Sequence, residues 1–92
     1  MIIELQTLLT KQGIDPLRYV TEIPWRYFRN KYYKTLDLSS YTNIKAIGFK
    51  AFDYSNINTL ILPNSISAVS RYEFYHSIIN ELFIPESTYR IE

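Results

Sequence analysis

Bulky apolar residues recur along this chain in one order, three times over. Phe28, Phe52 and Phe74 each stand eight residues before Leu36, Leu60 and Leu82. An aliphatic follows each leucine after one intervening residue: Leu38, Leu62 and Ile84. Tyr33, Ile57 and Ile79 stand three residues before the leucines, and Ile23, Ile47 and Val69 five before the phenylalanines. The repeat distance is 24 residues and then 22. Self-similarity at such a period predicts stacked units, because a unit this short cannot bury its apolar face alone.

Between these positions the pattern predicts the local elements. Ile2, Leu5, Leu8 and Leu9 fall on one helical face, so residues 2–12 read as an amphipathic helix. Gly13 stands where a left-handed C-terminal cap is wanted, with Ile14 able to fold back on the last turn. Asp15 before Pro16 marks a helix restart, an N-cap side chain followed by proline at the first position. Residues 16–21 then form a second short helix presenting Leu17 and Val20. In each repeated unit, the segments 23–28, 47–52 and 69–74 suit one or two helical turns. The Leu-x-Leu segments 35–38, 59–62 and 81–84 alternate as strands do. Turns follow at Pro63-Asn64-Ser65 and Pro85-Glu86-Ser87, where proline stops the ladder. The first unit has Ser39-Ser40 instead, and its turn is two residues longer.

The second unit, Ile47-Gly48-x-x-Ala51-Phe52-x-x-Ser55-x-Ile57-x-x-Leu60-x-Leu62-Pro63-x-Ser65-Ile66, resembles the BspA-type leucine-rich repeat. The third, running from Val69 through Phe74, Ser77, Ile79, Leu82, Ile84 and Pro85 to Ser87, is similar. Ser55 and Ser77 stand where that family often has cysteine. The first unit departs furthest, with Pro24 in the place of Gly48, Lys31 in the place of the small residue, and no proline after Leu38. The resemblance covers roughly residues 23–91. It implies an α/β fold: a short right-handed leucine-rich-repeat solenoid of about three turns (approximately 23–46, 47–68 and 69–92) behind a helical N-terminal cap at 1–22. The whole makes one domain. Members of the family are mostly known from secreted and surface proteins of bacteria and parasites. Very short members without export signals occur in phage genomes, which implies a host-directed binding role.

In such a solenoid, Leu36, Leu38, Leu60, Leu62, Leu82 and Ile84 form inner columns, and Phe28, Phe52 and Phe74 stack beneath the opposite face. Ile23, Ile47 and Val69 add another column, and Ile44, Ile57 and Ile66 fill around them. The N-terminal helices cover the first unit, as a terminal cap must. At the other end Ile91 falls in the phase of Ile47 and Val69, and strand 81–84 is left as a bare edge. A second copy of the chain or a partner covers it, or else Tyr89 and Ile91 fold over it.

Composition narrows the function classes. A net charge of +1 provides no global field for nucleic acid, membrane or an acidic substrate. The absence of cysteine excludes a disulfide framework and a thiolate metal site. No basic n-region or apolar h-region opens the chain, and no apolar run reaches membrane-spanning length, so a cytoplasmic location is expected. His76 is the single histidine, with Asn30 and Tyr54 as its counterparts. No second histidine or cysteine completes a metal site. Neither a nucleophile motif nor a phosphate-cradling glycine loop is present, and the carboxylates are spread singly. No catalytic residue, cofactor or metal is assigned.

Two surfaces are candidates for binding. On the concave face, the residues flanking the leucines form one lane of Thr35, Thr59 and Glu81, and another of Asp37, Ile61 and Phe83. Ile61 and Phe83 would sit about 5 Å apart on adjacent strands, an apolar pair rimmed by Asp37 and Glu81. The second candidate is Trp25–Lys34, where Trp25, Tyr27 and Tyr32 interleave with Arg26, Arg29, Lys31 and Lys34 without an acid. Such residues anchor protein interfaces and also hold single-stranded nucleic acid; alternatively Trp25 and Tyr27 pack on the N-terminal helices. The sequence thus predicts a non-enzymatic protein-interaction module, an inhibitor or adaptor with a protein partner. Nucleic-acid binding through 25–34 and self-association through the C-terminal edge, as a homodimer, are the alternatives.

Overall fold

The computed structural model describes residues 8–88 and 90–91. Ile2 and Leu5 of the expected first helix, and Tyr89, lie outside the described residues. Residues 8–11 are helical and end as their sequence predicts. Gly13 has φ 74°, the Gly13 N–H donates to the Thr10 carbonyl (3.0 Å) and the Ile14 N–H to Leu9 (2.9 Å), the paired bonds of a glycine-capped helix end. The restart at Asp15 yields a single 3-10 turn, Pro16–Tyr19, in place of the short helix expected over 16–21. The Asp15 carboxylate accepts the Leu17 N–H at 3.0 Å.

Among the described residues seven strands follow: β1 (Glu22–Ile23), β2 (Tyr32–Asp37), β3 (Ala46–Ile47), β4 (Asn56–Ile61), β5 (Ala68–Val69), β6 (Ile78–Phe83) and β7 (Arg90–Ile91). All pair in parallel, as β1-β3, β2-β4-β6 and β5-β7. The pairing follows the sequence period. Leu36 stands beside Leu60 and Leu60 beside Leu82; Ile23 stands beside Ile47, and Val69 beside Ile91. The three phenylalanines stack with ring centroids 5.2 and 5.3 Å apart and planes within 5° and 13° of parallel.

The segments from the short strands to the phenylalanines are not helical in the first two units, against expectation; only the third contains a 3-10 helix, Arg71–Phe74. The hydrogen bonds give the reason. The N–H groups of Phe28, Asn30, Phe52 and Tyr54 donate to carbonyls of the following unit, at Ala51, Asp53, Glu73 and Tyr75, so they are not free to bond back along their own segment. Arg26, Asn30, Lys50, Tyr54 and His76 take positive φ between 54° and 58°, which turns successive N–H groups outward. The units are therefore joined by backbone hydrogen bonds on the turn side as well as on the sheet side.

The core runs from Leu17 to Val69 and holds Ile23, Phe28, Leu38, Ile44, Ile47, Phe52, Ile57, Leu60, Leu62 and Ile66. Burial is greatest in the middle unit. Leu82, in register with Leu60, and Ile84, both expected in the inner columns, are each 37% exposed, because among the described residues no further strand lies against β6. Hydroxyls reinforce the stack. Ser55 and Ser77 each donate to the carbonyl three residues back (2.6 Å). Ser65 donates to the Ile44 carbonyl and Ser87 to Ile66 (3.1 Å), each reaching the preceding unit. At the N-terminal end, Leu17 is buried, and the Asn43 amide donates to the Leu17 and Val20 carbonyls (2.6 and 2.7 Å).

Candidate functional site

The parallel register places the sheet-face residues as lanes. Thr35, Thr59 and Glu81 are paired neighbours, as are Asp37, Ile61 and Phe83. Thr59 donates to Glu81 (3.2 Å). Beside them Asn80 donates to Asn58 (3.0 Å), extending a polar lane that begins at Lys34. Ile57 and Leu60 are three apart and both buried, so Asn58 and Thr59 lie outside in succession. Phe83 is 53% exposed and Ile61 half-buried. Asp37 is exposed, and hydrogen bonds from Ser39, the hydroxyl first and then the backbone N–H (2.9 Å), hold its carboxyl below the usual carboxylate range. The sheet face is thus an apolar pair between two carboxylates.

The turn side presents the second candidate, and here the structure adds what the segment 25–34 did not contain. Asp53 is fully buried, with the Arg26 guanidinium at 3.3 Å and that of Arg29 at 3.7 Å. These two cations therefore neutralise a buried carboxylate of the next unit. Register carried the signal, since 29 and 53 are equivalent positions one repeat apart. Tyr27 is half-buried, edge-on to Phe28 at 4.9 Å, and packs against the core. Trp25 and Tyr32 remain outside, 55% and 80% exposed.

The same face continues across the other units. Phe49 and Tyr54 are 56% and 50% exposed, and Tyr75 42%. Tyr54 stacks on His76 at 4.9 Å, and Phe49 lies 6.4 Å from Tyr72. The Lys50 ammonium sits 4.5 Å from the Tyr75 ring centre and 5.3 Å from that of Phe49; Arg26 lies over Trp25 at 4.7 Å and Arg29 over Tyr54 at 5.9 Å.

A cleft of about 410 Å³ opens at the first unit, lined by Leu17, Phe28, Tyr33, Leu36 and Tyr41 among others. Its carboxylates are engaged. Asp15 accepts the Tyr41 hydroxyl, and Asp37 is bonded to Ser39. Partial burial, and then the bond to Asp15, push the Tyr41 hydroxyl up to about 12. Among the described residues, no group of three or more His, Cys, Asp or Glu could hold a metal ion, and no helix is long and apolar enough to cross a membrane.

The model of the family described as BspA type leucine rich repeat region (6 copies) matches residues 17–92. The chain belongs to that family. Its fold is accordingly an α/β repeat fold, dominated by strands and with little helix among the described residues. Leucine-rich repeats generally serve protein–protein interaction, through the extended surface that stacked units create. No curated protein and no solved structure matches the chain.

Proposed function

We propose that this BspA-type repeat chain is a non-enzymatic protein-binding module, an inhibitor or adaptor in the cytoplasm, coiled as a right-handed solenoid of three turns behind the N-terminal cap. The observation that carries the reading is the register of β4 and β6. It sets Ile61 and Phe83 side by side on the outer sheet face, flanked by Asp37 and Glu81. A hydrogen-bonded sheet holds these side chains without further ordering, which favours binding. An apolar centre with a polar rim is the anatomy of a protein interface. The test is affinity capture from a lysate of the native host, with and without nuclease, using wild type and the double variant Ile61→Asp, Phe83→Asp. A protein retained by wild type after nuclease treatment and lost by a folded double variant supports the reading. Undiminished retention by the variant removes the sheet face as the site.

Exposed inner-column residues favour a second reading, self-association. Leu82 and Ile84 are each 37% exposed where Leu60 and Leu62 are 0% and 1%. A homodimer pairing the β6 edges would bury these residues. Sedimentation should then show a concentration-dependent dimer that Leu82→Lys reverts to monomer; a monomer at all concentrations excludes it.

A further inference from the structure

Charge divides between the two faces of this nearly neutral chain. On the turn side, the acids in segments 24–32, 48–56 and 70–78 are Asp53 and Glu73, 0% and 7% exposed. The cation Arg29 on the same side is exposed and Lys50 is half-buried, whereas Lys31, at the place of buried Ser55, lines the first-unit cleft. Exposed rings stand among them: Trp25 and Phe49 at equivalent positions of consecutive units, and Tyr54 stacked on His76. The sheet face differs, with Asp37, Glu81 and Lys34 as its charges and few rings. Arg26, Arg29 and Lys50 stand against two buried acids on this side, so the face is aromatic and keeps a small excess of positive charge.

We propose that this turn face binds single-stranded nucleic acid. The ligand complementary to it must carry repeated negative charge and flat rings together, and a single strand does so through its phosphates and unstacked bases. Trp25, Phe49 and Tyr54 offer platforms for bases; Arg29 over Tyr54 and Lys50 beside Phe49 stand next to them for phosphates. The rings do not depend on sequence-specific hydrogen bonds, so recognition is tolerant of base identity. The surface is separate from Ile61 and Phe83, and its test is independent of the protein-binding reading.

The single tryptophan makes the test direct. The full chain is titrated with a fluorescein-labelled oligothymidylate of about 15 nucleotides, a length within the known site sizes, following anisotropy and Trp25 emission. The expected result is quenching of Trp25 together with binding that weakens with salt. Two phosphate contacts on a single strand give a log–log slope of about −1.4. Phe49→Ala and Tyr54→Asn should each weaken binding about tenfold at an unchanged melting temperature. Asparagine is chosen because Asn30 holds the equivalent place at the same positive φ. Arg26 and Arg29 are unsuited to substitution, since they hold buried Asp53. No binding at low salt overturns the proposal. So does equal affinity for polyglutamate, which would assign the face to an acidic polypeptide, or binding that both ring variants retain in full.

Discussion

The middle and last units carry the same motif and live in different surroundings. Phe52, Leu60 and Leu62 are 0%, 0% and 1% exposed; their equivalents Leu82 and Ile84 are each 37% exposed, and Phe74 is half-buried. The inward direction of a side chain is set by the alternation and bend of its own strand. Its burial is set by whether another unit lies on both sides. In a stack, equivalent residues therefore contribute unequally to stability, and the last unit retains apolar surface that the middle unit has lost to its neighbours.

The sharpest way to break this comparison is to truncate the two equivalent rings. Phe52→Ala removes the centre of the column and should cost about 3–5 kcal/mol, enough to unfold much of a domain this small. Phe74→Ala, at a half-buried end, should cost roughly half as much. Urea denaturation of the two variants measures the difference, and equal losses would show that the ends are as well packed as the centre.

The next effect concerns the backbone. A Cβ on Gly48 would overlap the Ile23 carbonyl oxygen and crowd the Trp25 nitrogen at 3.0 Å, on the side where the Gly48 N–H donates to Ile23 (2.7 Å). Gly48→Ala should cost about 1–3 kcal/mol. Ser70, the equivalent in the last unit, already carries a side chain, whose oxygen accepts the Tyr72 N–H at 3.3 Å. Ser70→Ala should cost only about 1 kcal/mol, the ordinary loss of a cap. Thermal melts of the pair would read this.

The smallest effect lies in the first unit, at Tyr41. Tyr41 holds its proton more tightly in the folded state, with a pKa of up to about 12, than a free tyrosine with its ordinary value of 10.0. The folded chain thus binds more protons than the unfolded one across that interval. Stability from this group is fully present below pH 10 and is lost as pH rises towards 12. Tyr41→Phe should flatten the alkaline limb of the stability profile, measured by denaturation at stepped pH. An unchanged limb would mean that burial and the bond to Asp15 together leave this hydroxyl's titration unshifted.

Much of this was legible in the residues. The period of 24 and 22 located every strand of the three-stranded sheet to within a few positions and paired Ile61 with Phe83. Gly13 and Asp15 announced their caps. The first two turn-side segments do not form the expected helical turns, because an Ile-x-x-x-x-Phe spacing does not reveal where N–H groups point; the third keeps a 3-10 turn at Arg71–Phe74. Donation to the next unit, at Phe28 and Phe52, excludes the helix. The cation-rich stretch 25–34 looked unopposed because its counter-charge, Asp53, stands a full repeat away.

By itself the sequence determined the identity of the repeating unit and which of its residues face inward, since those follow from spacing within a short segment. Tertiary structure alone decided which inward residues are buried, how Arg26 and Arg29 come to neutralise a fully enclosed Asp53, and that cations and rings from separate units share one face. Each of these is a relation between neighbouring units. It exists only once the stack has formed, because burial and charge pairing depend on what lies within a few ångströms and not on what lies nearby along the chain.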